Sequence, residues 1–225
     1  MTDVPNPKLD ELVAVLARLR APGGCAWDRE QTHESLVRHL IEEAYELVDA
    51  IESGSRDEIV EELGDVLYQV IFHADIAAHA DTGRFDLEDV AARMTAKMIG
   101  RHPHVFGDAT AETADDVIAA WDDLKAVEKP GRTSVLDGIP QAMPSLLLAE
   151  KLLGRADRVG VASARAGAVS GFEQQFGTGP RIDTEDDLGR ALLALVATAR
   201  DRGLDAERAL RGALRDLQAE IRDAE

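Results

Sequence analysis

Two short acidic segments, residues 42–46 and 61–65, carry the side chains whose types and spacing could do chemistry. In each segment two carboxylates stand three residues apart, which puts them on one face of a helix. The pairs are Glu43 with Glu46 and Glu62 with Asp65. Glu43 and Glu62 interrupt otherwise apolar stripes, where a carboxylate is costly to bury unless it is neutralised. The oxygen ligands suit a divalent cation such as Mg²⁺, with Mn²⁺ as a substitute.

Two predicted helices must position these carboxylates. One begins near Thr32 and runs to about Glu52, and the other runs from about Asp57 to Ala80. The short turn at 53–55 joins them, so antiparallel packing across it would bring the carboxylates of the two helices together. The alternative interpretation is a solvated helix face, because 43 of the 225 residues are acidic and short acidic patterns also arise by chance.

The rest of the chain favours helices as well, which predicts an all-α helical bundle. The further predicted helices cover residues 8–20, about 86–100, a stretch from about Thr113 to before Lys129, about 146–153, 184–202 and 205–224. Residues 25–28 are predicted to form a loop after the Pro-Gly-Gly break. The predicted organisation is a helical domain with the acidic segments at 1–130, a connecting segment with a helix at 131–160, a flexible Ala-, Gly- and Ser-rich insertion at 161–182, and a second half at 183–225.

Composition excludes some classes of function. The 25 basic and 43 acidic residues give a net charge of −18, and the isoelectric point is about 4.7. Nucleic-acid binding through a basic face is therefore not expected, although divalent cations can bridge an acidic protein to a phosphorylated small molecule. A single cysteine, Cys25, fits a reducing compartment. With no signal-like start and no long apolar run, we expect a soluble cytoplasmic protein without a membrane partner.

The second half contains a weak internal repeat of the first. Residues 62–67, Glu-Leu-Gly-Asp-Val-Leu, are similar to residues 187–192, Asp-Leu-Gly-Arg-Ala-Leu. Arg190 therefore stands where the first copy has Asp65, and a guanidinium would repel a divalent cation. We expect the chemistry in the N-terminal half alone, with the degenerate second half serving packing, dimer contacts or regulation.

Further motifs surround the acidic helices in a fixed order along the chain. They are Trp27-Asp28, the Arg-His-Pro-His-Val-Phe run at 101–106, Trp121 with Lys125, and the run Ser-Val-Leu-Asp-Gly-Ile-Pro at 134–140. With these motifs the sequence resembles the MazG family of nucleoside triphosphate pyrophosphohydrolases. The resemblance covers residues 8–160 well and 184–225 more weakly.

The resemblance implies an all-α fold in which a homodimer creates the active site. It implies Mg²⁺-dependent hydrolysis of nucleoside triphosphates to the monophosphate and pyrophosphate by attack of an activated water. The metal ligands that the resemblance implies are Glu43, Glu46, Glu62 and Asp65. Glu42 matches the first glutamate of the family motif, and it either supports the ligands or activates the attacking water. Whether the role is cleaning of the nucleotide pool or control of an alarmone stays open.

The resemblance also indicates residues that bind the nucleotide. Lys97 and Arg101 match basic positions that the family uses towards the substrate, and Lys125 after Trp121 is a further candidate. Trp27 and Trp121 could stack on a base. The alternative interpretation is a surface pair for the two basic residues and buried packing for the tryptophans.

The sequence leaves three alternatives to this function. A related all-α pyrophosphohydrolase could act on a single nucleotide such as dUTP or dCTP, or on a modified one. A ferritin-like di-iron bundle would need two Glu-x-x-His motifs, and the chain offers only Glu30 with His33. A non-catalytic acidic module could bind a basic partner through the charge of −18.

Overall fold

The computed structural model describes residues 6–113, 116–117, 131, 133–161 and 182–224. Over these residues the chain forms helices and no strand, which confirms the all-α class. The helices are α1 Pro7–Arg20, α2 Ala26–Glu30, α3 His33–Ser53, α4 Arg56–Ala78, α5 Leu87–Arg101, α6 Pro103–Phe106, α7 Ser145–Arg158, α8 Glu185–Asp201 and α9 Ala206–Ala224. The contacts divide the chain into two compact units, Met1–Glu128 and Lys129–Glu225.

The hairpin of α3 and α4 dominates the first unit. Thr32 caps α3 and Ser55 caps α4, each by accepting a hydrogen bond from a backbone N–H three residues later. Between them Gly54 allows a tight approach, because a Cβ atom there would lie 2.8 Å from the backbone oxygen of Ala50. The two helices make the most extensive contact between any two described helices. The predicted antiparallel pair of helices is therefore present, and a side-chain cap stabilises the start of each helix.

A small apolar core holds α1 and the hairpin together. Its buried members are Leu16 from α1, Leu36 from α3, and Ile71 and Phe72 from α4. Arg20 at the end of α1 reaches α4, where its Nε atom lies 2.6 Å from Asp75 Oδ2 and its guanidinium covers the Phe72 ring. This core lies at the open end of the hairpin, where α3 begins and α4 ends, whereas the acidic segments lie nearer the turn.

One local prediction is corrected by the structure. Residues 25–28, predicted as a loop, enter the short helix α2, because the Arg29 N–H closes a turn on the carbonyl of Cys25. One turn is too short to show helical periodicity in the sequence. After α5 ends at Arg101, the chain also begins α6 at Pro103, since proline is tolerated at the first position of a helix.

The second unit, over its described residues, consists of α7, α8 and α9. Leu153 from α7 packs with Val196 and Ala197 from α8 in a buried cluster. Arg200 on α8 pairs with Asp157 on α7, with Nη1 and Oδ2 2.5 Å apart. All but the first and last residues of the predicted insertion at 161–182, and most of the predicted helix after Thr113, lie outside the described residues. None of the described helices combines the length and apolar character that crossing a membrane requires.

Candidate active site

Three carboxylates from the α3–α4 hairpin meet at one place. Oxygen atoms of Glu43 on α3 and of Glu62 and Asp65 on α4 all lie within 4.8 Å of one another. Glu62 and Asp65 share a face of α4 because they are three residues apart. In the part of the chain that the structure describes, this is the one group of three or more acidic, histidine or cysteine side chains close enough to hold a metal ion.

Glu46 adds a fourth carboxylate beside this group. Glu46 is not part of the 4.8 Å group, but after burial and Asp65 it contributes to the raised pKa of Glu43, one turn earlier on α3. Glu46 also raises the pKa of Glu62 on the facing helix. All four carboxylates that the family resemblance implied as ligands are therefore neighbours.

The electrostatics of the cluster oppose full ionisation. Burial raises the pKa of the Glu43 carboxyl, and the charges of Asp65, Glu46 and Glu62 raise it further. Burial is also the largest cause of the raised pKa of Glu62, and repulsion from Glu46 and Asp65 raises it further. Like charges this close cannot all be ionised without a compensating cation. The hairpin thus concentrates negative charge at this group of carboxylates.

The donor atoms fit a divalent cation that prefers oxygen. Glu62 Oε2 is buried and has no hydrogen-bond partner among the residues that the structure describes, although an ionised carboxylate oxygen requires a donor or a cation. The side chains around it are carboxylates, which accept hydrogen bonds but do not donate them when ionised. No sulfur or imidazole joins the three-residue group, so its chemistry suits Mg²⁺ or Mn²⁺ better than zinc.

Glu42 points to a different partner. Its Oε2 atom lies 3.2 Å from Nδ1 of His39, one turn earlier on α3, and Glu42 is not part of the three-carboxylate group. His39 in turn contacts Arg38 and the ring of Trp27. Sequence reasoning did not include His39, although the three-residue spacing of His39 and Glu42 could have indicated the pair. The structure therefore places a histidine beside Glu42.

Trp27 and the two described basic residues differ in how far they are exposed to solvent. Trp27 on α2 is 51% exposed and lines a shallow depression with Gln31, Glu34, Ser35, Arg38 and His39. Lys97 is exposed on α5, and Arg101 is half-buried at the end of that helix. Trp121 and Lys125 lie outside the described residues. An exposed indole on α2 and an exposed ammonium on α5 are both accessible to a ligand.

The second unit lacks a comparable carboxylate arrangement over its described residues. Arg190 on α8 pairs with Asp186, with Nη2 and Oδ2 2.5 Å apart, and with Asp187, with Nη2 and Oδ1 3.3 Å apart. The guanidinium neutralises the acidic start of α8 locally. The site in the first unit therefore has no equivalent there among the described side chains.

An antiparallel helical hairpin that gathers three carboxylates within 4.8 Å of one another defines an all-α protein suited to hold a divalent cation. The model of the MazG nucleotide pyrophosphohydrolase domain matches residues 31–106, which include α3 to α6 and all four acidic residues. The match therefore covers the site but only part of the chain.

Curated relatives extend the similarity to nearly the whole chain. A nucleoside triphosphate pyrophosphohydrolase of Escherichia coli K12 is 36% identical over 97% of this chain and 87% of its own length. A nucleoside triphosphate pyrophosphohydrolase/pyrophosphatase MazG of Thermotoga maritima is 41% identical over 92% of this chain and 81% of its own length. An uncharacterized 26.1 kDa protein of Streptomyces cacaoi is 44% identical over 99% of this chain and 85% of its own length. The chain belongs to the MazG family of nucleoside triphosphate pyrophosphohydrolases, as the motifs implied.

Proposed function

We propose that this protein hydrolyses nucleoside triphosphates to the monophosphate and pyrophosphate at the carboxylate cluster of α3 and α4, with Mg²⁺ as its metal. The observation that carries the proposal is the meeting of Glu43, Glu62 and Asp65, together with a buried Glu62 Oε2 atom that has no hydrogen-bond partner among the described residues. Relatives named nucleoside triphosphate pyrophosphohydrolase cover most of this chain, which supports the same reaction class.

The acidic residues divide the work of the site. Glu43, Glu46, Glu62 and Asp65 are the proposed ligands, since oxygens of Glu43, Glu62 and Asp65 meet in one group and Glu46 is an electrostatic neighbour of Glu43. When bound, the metal neutralises charge on the polyphosphate and polarises its phosphoryl oxygens. Glu42 accepts the proton of the water that attacks the α-phosphorus, and pyrophosphate leaves. The P–O bond to the β-phosphate breaks as the bond from water forms, so the products are one monophosphate and one pyrophosphate.

Cationic and aromatic side chains are proposed to hold the rest of the nucleotide. Lys97 and Arg101 pair with phosphate oxygens, and Lys125 adds a further cation. Trp27 and Trp121 stack on the base, which aromatic rings do with little regard to its identity. Half of the Trp27 side chain is exposed, which supports this role over packing for that residue. We expect weak discrimination between bases from such contacts.

The protein is proposed to act as a cytoplasmic homodimer. Large apolar side chains stand exposed on α4 at helical spacing, and a second group stands exposed on α3. They are Val60, Leu63, Leu67 and Val70 on α4, and Val37, Ile41 and Tyr45 on α3. Contiguous exposed apolar surface of this kind marks an interface, and a second copy related by a two-fold axis would cover it.

Product analysis tests the proposed function directly. Purified protein is incubated with each ribo- and deoxyribonucleoside triphosphate and Mg²⁺, and monophosphate with pyrophosphate is separated from diphosphate with phosphate. We expect monophosphate and pyrophosphate, lost with EDTA and in Glu43→Ala and Asp65→Ala. Turnover of one nucleotide alone would indicate a specific pyrophosphohydrolase. No turnover of any nucleotide would contradict the proposal and favour the acidic interaction module.

A further inference from the structure

Three contacts fix the ring of His39, one turn before Glu42 on α3. Its Nδ1 atom lies 3.2 Å from Glu42 Oε2, and its Nε2 atom lies 3.2 Å from Nε of Arg38. The ring of Trp27 meets it edge-on, with centroids 5.8 Å apart and planes at 78°. The histidine side chain is only 22% exposed. The ring is therefore held on two polar atoms and one edge.

The contact with Arg38 assigns the tautomer of His39. The guanidinium of Arg38 carries only N–H groups, so it donates and the Nε2 lone pair of His39 accepts. In the neutral ring the proton is then on Nδ1, the nitrogen that lies 3.2 Å from Glu42 Oε2. The hydrogen bond to one ring nitrogen thus determines what the other nitrogen can offer.

We propose that His39 is a positioning residue that holds the Glu42 carboxylate for proton transfer from the attacking water. The inference rests on the proposed function, in which Glu42 accepts that proton. Glu42 is 61% exposed and would otherwise sample several rotamers. The proton on Nδ1 attracts Oε2 across the 3.2 Å contact and so restricts the side chain, and Oε1 remains to accept the proton of the water. Correct alignment of the carboxylate before the reaction contributes much of the rate enhancement, because a displacement of about 1 Å can lower the rate roughly a hundredfold.

Substitutions at His39 separate positioning from packing. We expect His39→Ala to lower kcat about tenfold to a hundredfold with KM within about twofold of the parent. His39→Asn places an amide N–H near the position of Nδ1 and should recover most of the loss. His39→Gln places its amide near Nε2 instead and should remain slow. The control is His79→Ala, which removes an exposed histidine at the end of α4 and should keep the parent kcat.

A double-mutant cycle tests whether His39 acts through Glu42. If it does, the His39→Ala substitution in a Glu42→Gln background lowers kcat no further, although it does so in the parent. An additional loss equal to that in the parent would overturn the proposal, because His39 would then act independently. An unimpaired His39→Ala protein beside a slow Glu42→Gln protein would overturn it too, while the proposed function would stand. A parent with no turnover of any nucleoside triphosphate would overturn both.

Nitrogen-15 NMR gives a readout that does not depend on activity. The ring nitrogens of His39, assigned by comparison with His39→Ala, should show the proton on Nδ1 at neutral pH in the parent. In Arg38→Ala the fixed Nδ1–H population should fall, because the donor to Nε2 is gone. A proton on Nε2 in the parent would contradict the tautomer and with it the positioning role.

Discussion

Glu43 on α3 and Asp65 on α4 bring carboxylate oxygens within 4.8 Å of each other across the helical hairpin. Two negative charges at that distance repel strongly unless a proton or a cation lies between them. Apolar residues at these two positions would avoid the repulsion and would make the folded hairpin more stable. The repulsion is consistent with a role in metal binding.

Neutralising one ligand should abolish turnover, whereas neutralising its neighbour should not. We expect Glu62→Gln to lower kcat by at least about a hundredfold, because a metal ion supplies several kcal/mol of transition-state stabilisation. Glu61→Gln is the matched control, since Glu61 is exposed beside it on α4 and outside the carboxylate group. It should stay within about twofold of the parent. Equal effects of the two substitutions in steady-state assays would be incompatible with the ligand assignment.

The metal-free protein should be stabilised by losing one of these charges. Burial and repulsion raise the pKa of Glu62, so replacing its carboxylate by an amide relieves both costs. In EDTA, Glu62→Gln should have a higher Tm than the parent. Added Mg²⁺ should raise the Tm of the parent more than that of the variant, because ligand binding stabilises only the protein that binds it. Thermal melts followed by circular dichroism, with Glu61→Gln as control, check both statements.

A pair of histidines makes stability depend on pH. Nδ1 of His33 on α3 lies 2.8 Å from Nδ1 of His73 on α4, with the rings stacked. Burial lowers the pKa of His73, and the neighbouring His33 lowers it further. The unfolded chain therefore takes up a proton near pH 6.5 that the folded protein resists. The stability is fully present above about pH 6.5 and is lost as the pH falls below it.

The substitution His73→Asn tests this dependence. Its amide keeps a hydrogen-bonding group near the position of Nδ1 but does not titrate. We expect the free energy of unfolding of the parent, from urea titrations between pH 7.5 and 5, to fall more steeply towards low pH than that of His73→Asn. Parallel curves for the two proteins would show that His73 does not contribute.

The exposed apolar stripe on α4 should control the oligomeric state. The chain has a mass of 24.3 kDa, so sedimentation velocity separates monomer from dimer clearly. Leu63 is 51% exposed, and we expect Leu63→Glu to shift the protein from dimer to monomer and to reduce turnover. Val15→Glu on α1 adds the same charge at a residue that is 48% exposed and should stay dimeric. A monomeric parent would contradict the dimer.

Local sequence patterns predicted the helical hairpin and the helix faces on which its acidic residues lie. Caps such as Thr32 and Asp86 mark helix starts in the sequence, and both helices begin there in the structure. The spacing of Glu62 and Asp65 fixes their shared face of α4 before any packing is known. These features depend on neighbours within one helical turn, which is why a single sequence is enough to find them.

Relations across helices could not be predicted in the same way. The contact of His33 with His73 joins residues 40 apart, and it depends on the register between α3 and α4. Burial of one Glu62 oxygen depends on the same register. The contact of Trp27 with His39 requires α2, whose single turn carries no periodic signal. Packing decides these relations, and apolar periodicity alone leaves the register open.

The most direct test of the central account is hydrolysis in ¹⁸O-labelled water under single-turnover conditions. The account predicts that one labelled oxygen enters the nucleoside monophosphate, that pyrophosphate stays unlabelled, and that Asp65→Asn forms neither product at a comparable rate. Label in pyrophosphate, or diphosphate and phosphate as the products, would contradict attack at the α-phosphorus by water at the carboxylate cluster.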